Sequence, residues 1–288
     1  MNDIWIAVAV MTCISVLAAL LTSQLLYRSE GQSVILGITL AVFATVVFQI
    51  YASGQLFWAK VFPTSAAIIY SNLAAIFAAL AAGWAWRLPE TPLWRRAGLS
   101  SVLGVAALIA ICWPLYSIVL RPPPEGKSDW AQGVAMQSSW ATCSPAAAAT
   151  FLTAEGIPVD EREMVPLCLT DRSGTSTLGL YRGIKVVADR HERSVEIVDR
   201  DLAKLLEDDD WPVLMAVRLP FGVDDPRYAN EWGWIPGMGH SVVALGRGPG
   251  GTVIVGDPSV GLEAWTVDDL QILWHGVGMR LHHLDSVK

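Results

Sequence analysis

Charge is nearly missing from residues 1–120, which hold five Lys/Arg and three Asp/Glu; the remainder of the 288-residue chain holds fifteen basic and twenty-four acidic side chains. Soluble domains carry charge on about a quarter of their residues, so this imbalance excludes one uniform soluble globule. With 53% hydrophobic residues and a mean hydropathy of +0.42, the pattern fits membrane segments followed by an acidic soluble domain. The second part lacks any basic excess, its net charge being −9, which excludes a phosphate-reading surface and with it nucleic acid as a partner. Cysteine is scarce: four thiols make no disulfide framework in a chain of this size. Cys13 and Cys112 fall in apolar runs and are expected as small buried hydrophobes, Cys168 as a buried structural thiol. A bridge between Cys143 and Cys168 stays open. His191, His275, His282 and His283 stand at no metal-ligand spacing with cysteine, and neither metal nor cofactor is predicted. Nothing reads G-x-x-x-x-G-K-[ST], and no internal repeat is present.

Four apolar stretches occupy residues 4–26, 33–51, 64–86 and 97–120. Each is near the ~20 residues a helix needs to cross the hydrocarbon core. Aromatic residues gather at their ends (Tyr27, Trp58, Trp84, Trp86, Trp94), as at a membrane interface. The first stretch has no basic leader and no A-x-A site, so it reads as a retained helix. No ionisable residue lies deep within the stretches, which argues against a pump or channel and for an anchor. Arg28, Arg87, Arg95 and Arg96 lie in the first and third connectors; Lys60, Arg121 and Lys127 lie on the opposite side. By the excess of basic residues inside, the connectors face the cytoplasm and the soluble domain the extracytoplasmic side of a bacterial plasma membrane. The expected organisation is a four-helix transmembrane region over 1–120, a Pro-rich linker over 121–128 and a soluble domain over 129–288. Pro122-Pro123-Pro124 cannot continue a helix and predicts a stiff extended spacer.

The soluble part mixes periods. Helices are predicted over 144–154, 178–190, 201–207 and from Thr266 through Trp274, and strands over 195–198, 212–219, 241–245, 252–255 and 278–282. Helices against an antiparallel sheet, an α+β domain, follow.

Three segments carry chemistry. Cys143 immediately precedes the Ala-rich helix, whose N-terminus favours a thiolate. Gln137, just upstream, can aim an amide at an oxyanion, with the Cys143 backbone N–H as the second donor. His240 opens an apolar strand after Gly237-Met238-Gly239. Asp257, followed by Pro258, ends the next strand; the Gly-rich turn at 246–251 pairs the two strands and brings His240 and Asp257 together. Asp257 then orients one ring nitrogen of His240 and leaves the other for Cys143.

These pieces, together with Gly174-Thr175-Ser176 before a helix and the late Trp274-His275-Gly276, resemble the C39 family of bacteriocin-processing, papain-like cysteine peptidases over residues 130–282. The resemblance implies catalytic roles for Gln137, Cys143, His240 and Asp257, a peptide or protein substrate such as a leader peptide, and a separate exporter as partner alongside the lipid bilayer. Alternatives within it are a catalytically silent peptide-binding module and a transglutaminase-like acyltransferase. Three features depart from the family. Ser144 stands where members commonly have Gly, the membrane part precedes the domain, and residues 224–238 form an insertion, with Trp232, Trp234, Ile235 and Met238. That insertion is expected to pack on its own domain; lining a substrate groove or touching the membrane surface is the alternative.

Overall fold

The protein is described here from a computed structural model covering residues 2–25 and 31–283. The expectations placed on Tyr27 and Arg28 fall outside the described residues. Two compact units result, Met1–Ser117 and Ile118–Lys288.

In the first unit, α1 (Asn2–Leu25), α2 (Gly31–Tyr51), α5 (Leu73–Ala85) and α6 (Leu93–Leu120) are the long helices, with the one-turn helices α3 (Trp58–Val61) and α4 (Ala67–Tyr70) between α2 and α5. Four stretches are long and apolar enough to cross a membrane: α1, α2, Ala67–Ala85 and α6. The third is broken where one continuous helix was expected. Asn72 separates α4 from α5, and its side-chain amide donates to the Ala110 carbonyl on α6 at 2.6 Å. A polar side chain with an interhelical partner can end one helix and start the next within an apolar run.

Because α5 is rich in alanine, it packs closely against both α1 and α2. A Cβ at Gly83 would lie 2.5 Å from the Ala19 carbonyl oxygen on α1, so only glycine allows this approach. Outward-facing side chains are large and apolar. Trp5, Ile6, Leu17, Val102 and Val119 are more than half exposed, a surface suited to lipid and not to water. Cys13 corrects an expectation: it is exposed on α1, because in an apolar helix of this kind the hydrophobes face outward as readily as inward.

The second unit opens with a two-stranded hairpin, β1 (Trp130–Ala131) and β2 (Val134–Ala135), then α7 (Cys143–Ala154), α8 (Glu161–Leu167) and α9 (Thr177–Arg190). There follow β3 (Arg193–Asp199), α10 (Leu202–Asp208), β4 (Val213–Arg218), β5 (Gly239–Arg247), β6 (Val253–Asp257), β7 (Gly261–Trp265), α11 (Val267–Leu273) and β8 (Trp274–His283). Six strands form one antiparallel sheet in the order β3-β8-β4-β5-β6-β7. The chain is therefore four apolar helices followed by a sheet-plus-helix domain, as expected.

Alternation along the strands separates two faces. Val213, Met215 and Val217 on β4, Val242 and Ala244 on β5, and Val253 and Val255 on β6 share a core with Trp265, Leu270 and Leu273. On the opposite side α7 lies against β5 and is buried from Ser144 to Leu152. Residues 224–238 pack on their own domain: Trp232 stacks on Trp265 with centroids 5.4 Å apart, and the Tyr228 hydroxyl donates to Asp269 at 2.6 Å.

The predicted helix from Thr266 ends at Leu273, one residue early, because Trp274 already pairs with Val217 as the first residue of β8. β7, α8 and the β1–β2 hairpin were not anticipated. The linker is also other than a free spacer: Arg121 meets Asp171 at 2.8 Å, and the Arg162 guanidinium donates to the Gly126 carbonyl at 3.2 Å. The segment is held against the second unit by these contacts.

Candidate active site

Cys143 is the first residue of α7 and half-buried. The approach to it is a knot of short-range hydrogen bonds. Thr142 donates its hydroxyl to the Ser139 carbonyl at 3.0 Å and accepts the Ser139 N–H at 3.1 Å. Thr142 therefore does not cap α7 with its side chain. The first N–H groups of the helix stay free to face a negative charge, which is where the thiol sits.

His240 is the second residue of β5, its side chain 13% exposed. Asp257 ends β6 and is fully buried. The β5–β6 register pairs Val243 with Gly256, which carries Asp257 toward the His240 end of the hairpin. His240 Nε2 lies 2.7 Å from Asp257 Oδ1. Nδ1 is the other ring nitrogen, and the His240 imidazole and the Cys143 thiol lie near enough to shift one another's titration.

Asp257 is tightly held. Its Oδ1 also accepts the Ser259 N–H at 2.8 Å and the Ser259 hydroxyl at 2.7 Å, and its Oδ2 accepts the indole N–H of Trp234 at 2.9 Å. The Trp234 ring lies over His240 with centroids 4.6 Å apart.

The electrostatics follow from these contacts. Burial pushes the Asp257 carboxyl up, but the hydrogen bond and charge of His240, with Ser259, outweigh it and hold the group below the usual carboxylate range. Burial pushes the His240 imidazole down; Asp257 and Cys143 overcome this and raise it to about 10. Burial likewise pushes the Cys143 thiol up, and His240, the Ser144 hydroxyl and the Ser241 backbone bring it below its ordinary value. Both shifts act in one sense, toward the charged forms of the thiol and the imidazole.

Gln137 is brought to the same place by its backbone, whose N–H donates to the Pro258 carbonyl at 2.9 Å. Its Oε1 is buried and, among the described residues, has no hydrogen-bond partner. An amide oxygen without a protein partner on the loop that leads to Cys143 is available to a donor from a ligand.

Ser144 is the second residue of α7. Its hydroxyl lies 2.9 Å from that of Ser241, joining the start of α7 to β5 behind the sulfur. Trp234 belongs to the insertion expected to pack on its own domain, with groove or membrane contact the alternative; its hydrogen bond to Asp257 is signalled in the sequence by nothing more than aromatic density ahead of His240. Ser259 was signalled by the Asp257-Pro258-Ser259 turn and went unread.

Cys168 is free and buried, and burial raises its thiol to about 12. Among the described residues, no three His, Cys, Asp or Glu side chains cluster to hold a metal ion.

No family model matches the chain, and no curated protein matches it. Among solved structures it is similar to the peptidase domain of Streptococcus ComA, a bifunctional ABC transporter involved in a quorum-sensing pathway. That match has 21% identity, 51% of this chain and 96% of the other covered, and a TM-score of 0.40. It is also similar to a double-glycine-motif protease from an AMS/PCAT transporter, solved with its leader peptide, at 17% identity with 56% and 96% covered and a TM-score of 0.40. The peptidase domain of Streptococcus mutans ComA matches at 20% identity, 52% and 98% covered, with a TM-score of 0.37.

Proposed function

We propose that residues 129–288 are a cysteine peptidase domain, anchored by the four apolar helices in a bacterial plasma membrane and facing its extracytoplasmic side. The observation that carries this reading is the 2.7 Å contact of His240 with Asp257, and it is supported by the lowered Cys143 thiol and the raised His240 imidazole, each of which acts on the other.

In the first step the Cys143 thiolate attacks the scissile carbonyl carbon. An S–C bond forms, and the carbonyl π pair moves onto oxygen. The Cys143 backbone N–H and the Gln137 amide, presenting its NH₂ group, donate to that oxyanion; one such donor is worth about 2.7–4 kcal/mol in the transition state. Collapse breaks the C–N bond as the His240 imidazolium gives its proton to the leaving amine. Now neutral, His240 takes a proton from water, whose oxygen attacks the thioester. The second tetrahedral adduct expels the thiolate and releases the carboxylic acid. Asp257 holds the ring and its tautomer throughout.

The substrate class proposed is a peptide, with a leader peptide carried to or by a separate exporter as the specific case. The test is turnover of an acetyl-Gly-Gly aminocoumarin amide by the full chain in detergent. Release of the fluorophore is expected from the wild type, with loss of at least about 10³-fold in Cys143→Ala. Equal rates in the two proteins would refute the reading.

A further inference from the structure

A buried carboxylate outside the proposed triad ties two distant segments together. Glu161, the first residue of α8, is 1% exposed. One of its oxygens accepts the Lys127 backbone N–H at 2.7 Å; the other accepts the Ser138 N–H at 2.7 Å and the Ser138 hydroxyl at 3.2 Å. Lys127 belongs to the linker that leaves α6, and Ser138 follows Gln137 in the loop that leads to Cys143.

Further bonds run between the same partners. The Ser138 hydroxyl lies as close to the Glu125 carbonyl, at 3.1 Å, and shares its single proton between it and Glu161, and Ser128 donates its hydroxyl to Asp160. Gly126 sits so close to α8 that a Cβ there would lie 2.7 Å from the Cα of Arg162. The linker can occupy this groove only with glycine at that position.

Gln137 is thus fixed from both sides through consecutive peptide groups. Its own N–H is held by Pro258, on the turn that carries Asp257, and the next N–H is held by Glu161. We infer that Glu161 is a positioning residue that couples the docked linker to the Gln137 loop, so that the oxyanion donor is aimed only while the linker lies on α8. A carboxylate suits this hub because it accepts without donating, and two backbone N–H groups converge on it with a share of the Ser138 hydroxyl proton. The thiolate–imidazolium pair needs none of these contacts, since it is built from α7, β5 and β6.

This inference rests on the peptidase reading, and its test separates the two. Full-chain wild type, Glu161→Gln and Gly126→Ala are compared in detergent with three readouts: kcat and KM on the acetyl-Gly-Gly aminocoumarin amide, inhibition by acetyl-Gly-Gly aldehyde, and the rate at which iodoacetamide alkylates Cys143. Aldehyde binding and turnover both develop an oxyanion, and alkylation does not. Expected in both variants are a fall in kcat of about 10–10²-fold, short of or equal to the loss of one oxyanion donor, aldehyde inhibition weakened in proportion, KM within about twofold, and unchanged alkylation. Wild-type kcat in both variants overturns the coupling. Alkylation that falls in step with kcat also overturns it, by assigning Glu161 to the general fold. Turnover that survives Cys143→Ala overturns the peptidase reading and this inference with it.

Discussion

At the scale of single residues, Asp257 is the most constrained group of the site. Three donors meet at one of its oxygens and the Trp234 indole meets the other. Asp257→Asn can keep its oxygen toward His240 only by turning its NH₂ group against the Trp234 N–H. We expect kcat/KM to fall by up to about 10⁴-fold, the cost of the same change in a serine-protease triad. Stability should respond to pH in a defined direction. The Asp257 carboxyl is held low in the folded chain, so its contribution is complete above the unfolded value of about 3.9 and is lost as pH falls through the folded one. The stability gap between wild type and Asp257→Asn, read by thermal denaturation, should be wide near neutrality and close in acid. A gap that widens in acid would contradict this sign. Trp234→Phe keeps the ring over His240 and deletes the donor to a buried carboxylate; a loss of about 1.5–3 kcal/mol is expected in the same measurement.

Elements differ in how far their sequence announced them. The helix at 144–154 and the hairpin 241–255 were legible because alanine run, alternation and Gly-rich turn agree. The meeting of His240 with Asp257 follows from that pattern. By contrast, β7 is five residues long and ends on Trp265, too short for its alternation to stand out. α8 carries an N-cap signal, Asp160 accepting from the Glu163 N–H, but its seven residues end in Pro166-Leu167 and read as loop. The hub at Glu161 was illegible for the same reason, since its partners lie 34 and 23 positions away. The segment 224–238 depends on Asp269, which accepts both Tyr228 and Arg227 and closes the capping box of α11 with Thr266. Tyr228→Phe removes one of these anchors. Faster hydrogen exchange across residues 228–238, with kcat lowered through Trp234, is the expected result; unchanged exchange would show that Trp234 is held without that bond.

For the whole molecule, the uneven charge was the strongest sequence signal, and it matches the division into an apolar helical unit and a sheet-plus-helix unit. The basic connectors give a directional expectation: a C-terminal tag should be cleaved by protease added outside right-side-out vesicles, and protection of the tag would reverse the orientation. Both units serve one claim, that distant residues form a thiolate–imidazolium pair ready to attack an amide. The most direct test is the pH dependence of Cys143 alkylation by iodoacetamide, resolved by mass spectrometry from the other three thiols. In the wild type the midpoint should lie below about 8.5, the value of a free cysteine. In His240→Ala, with burial left as the main influence, it should move above that value. A midpoint at the free-cysteine value in the wild type, unmoved by loss of the imidazole, would contradict the account.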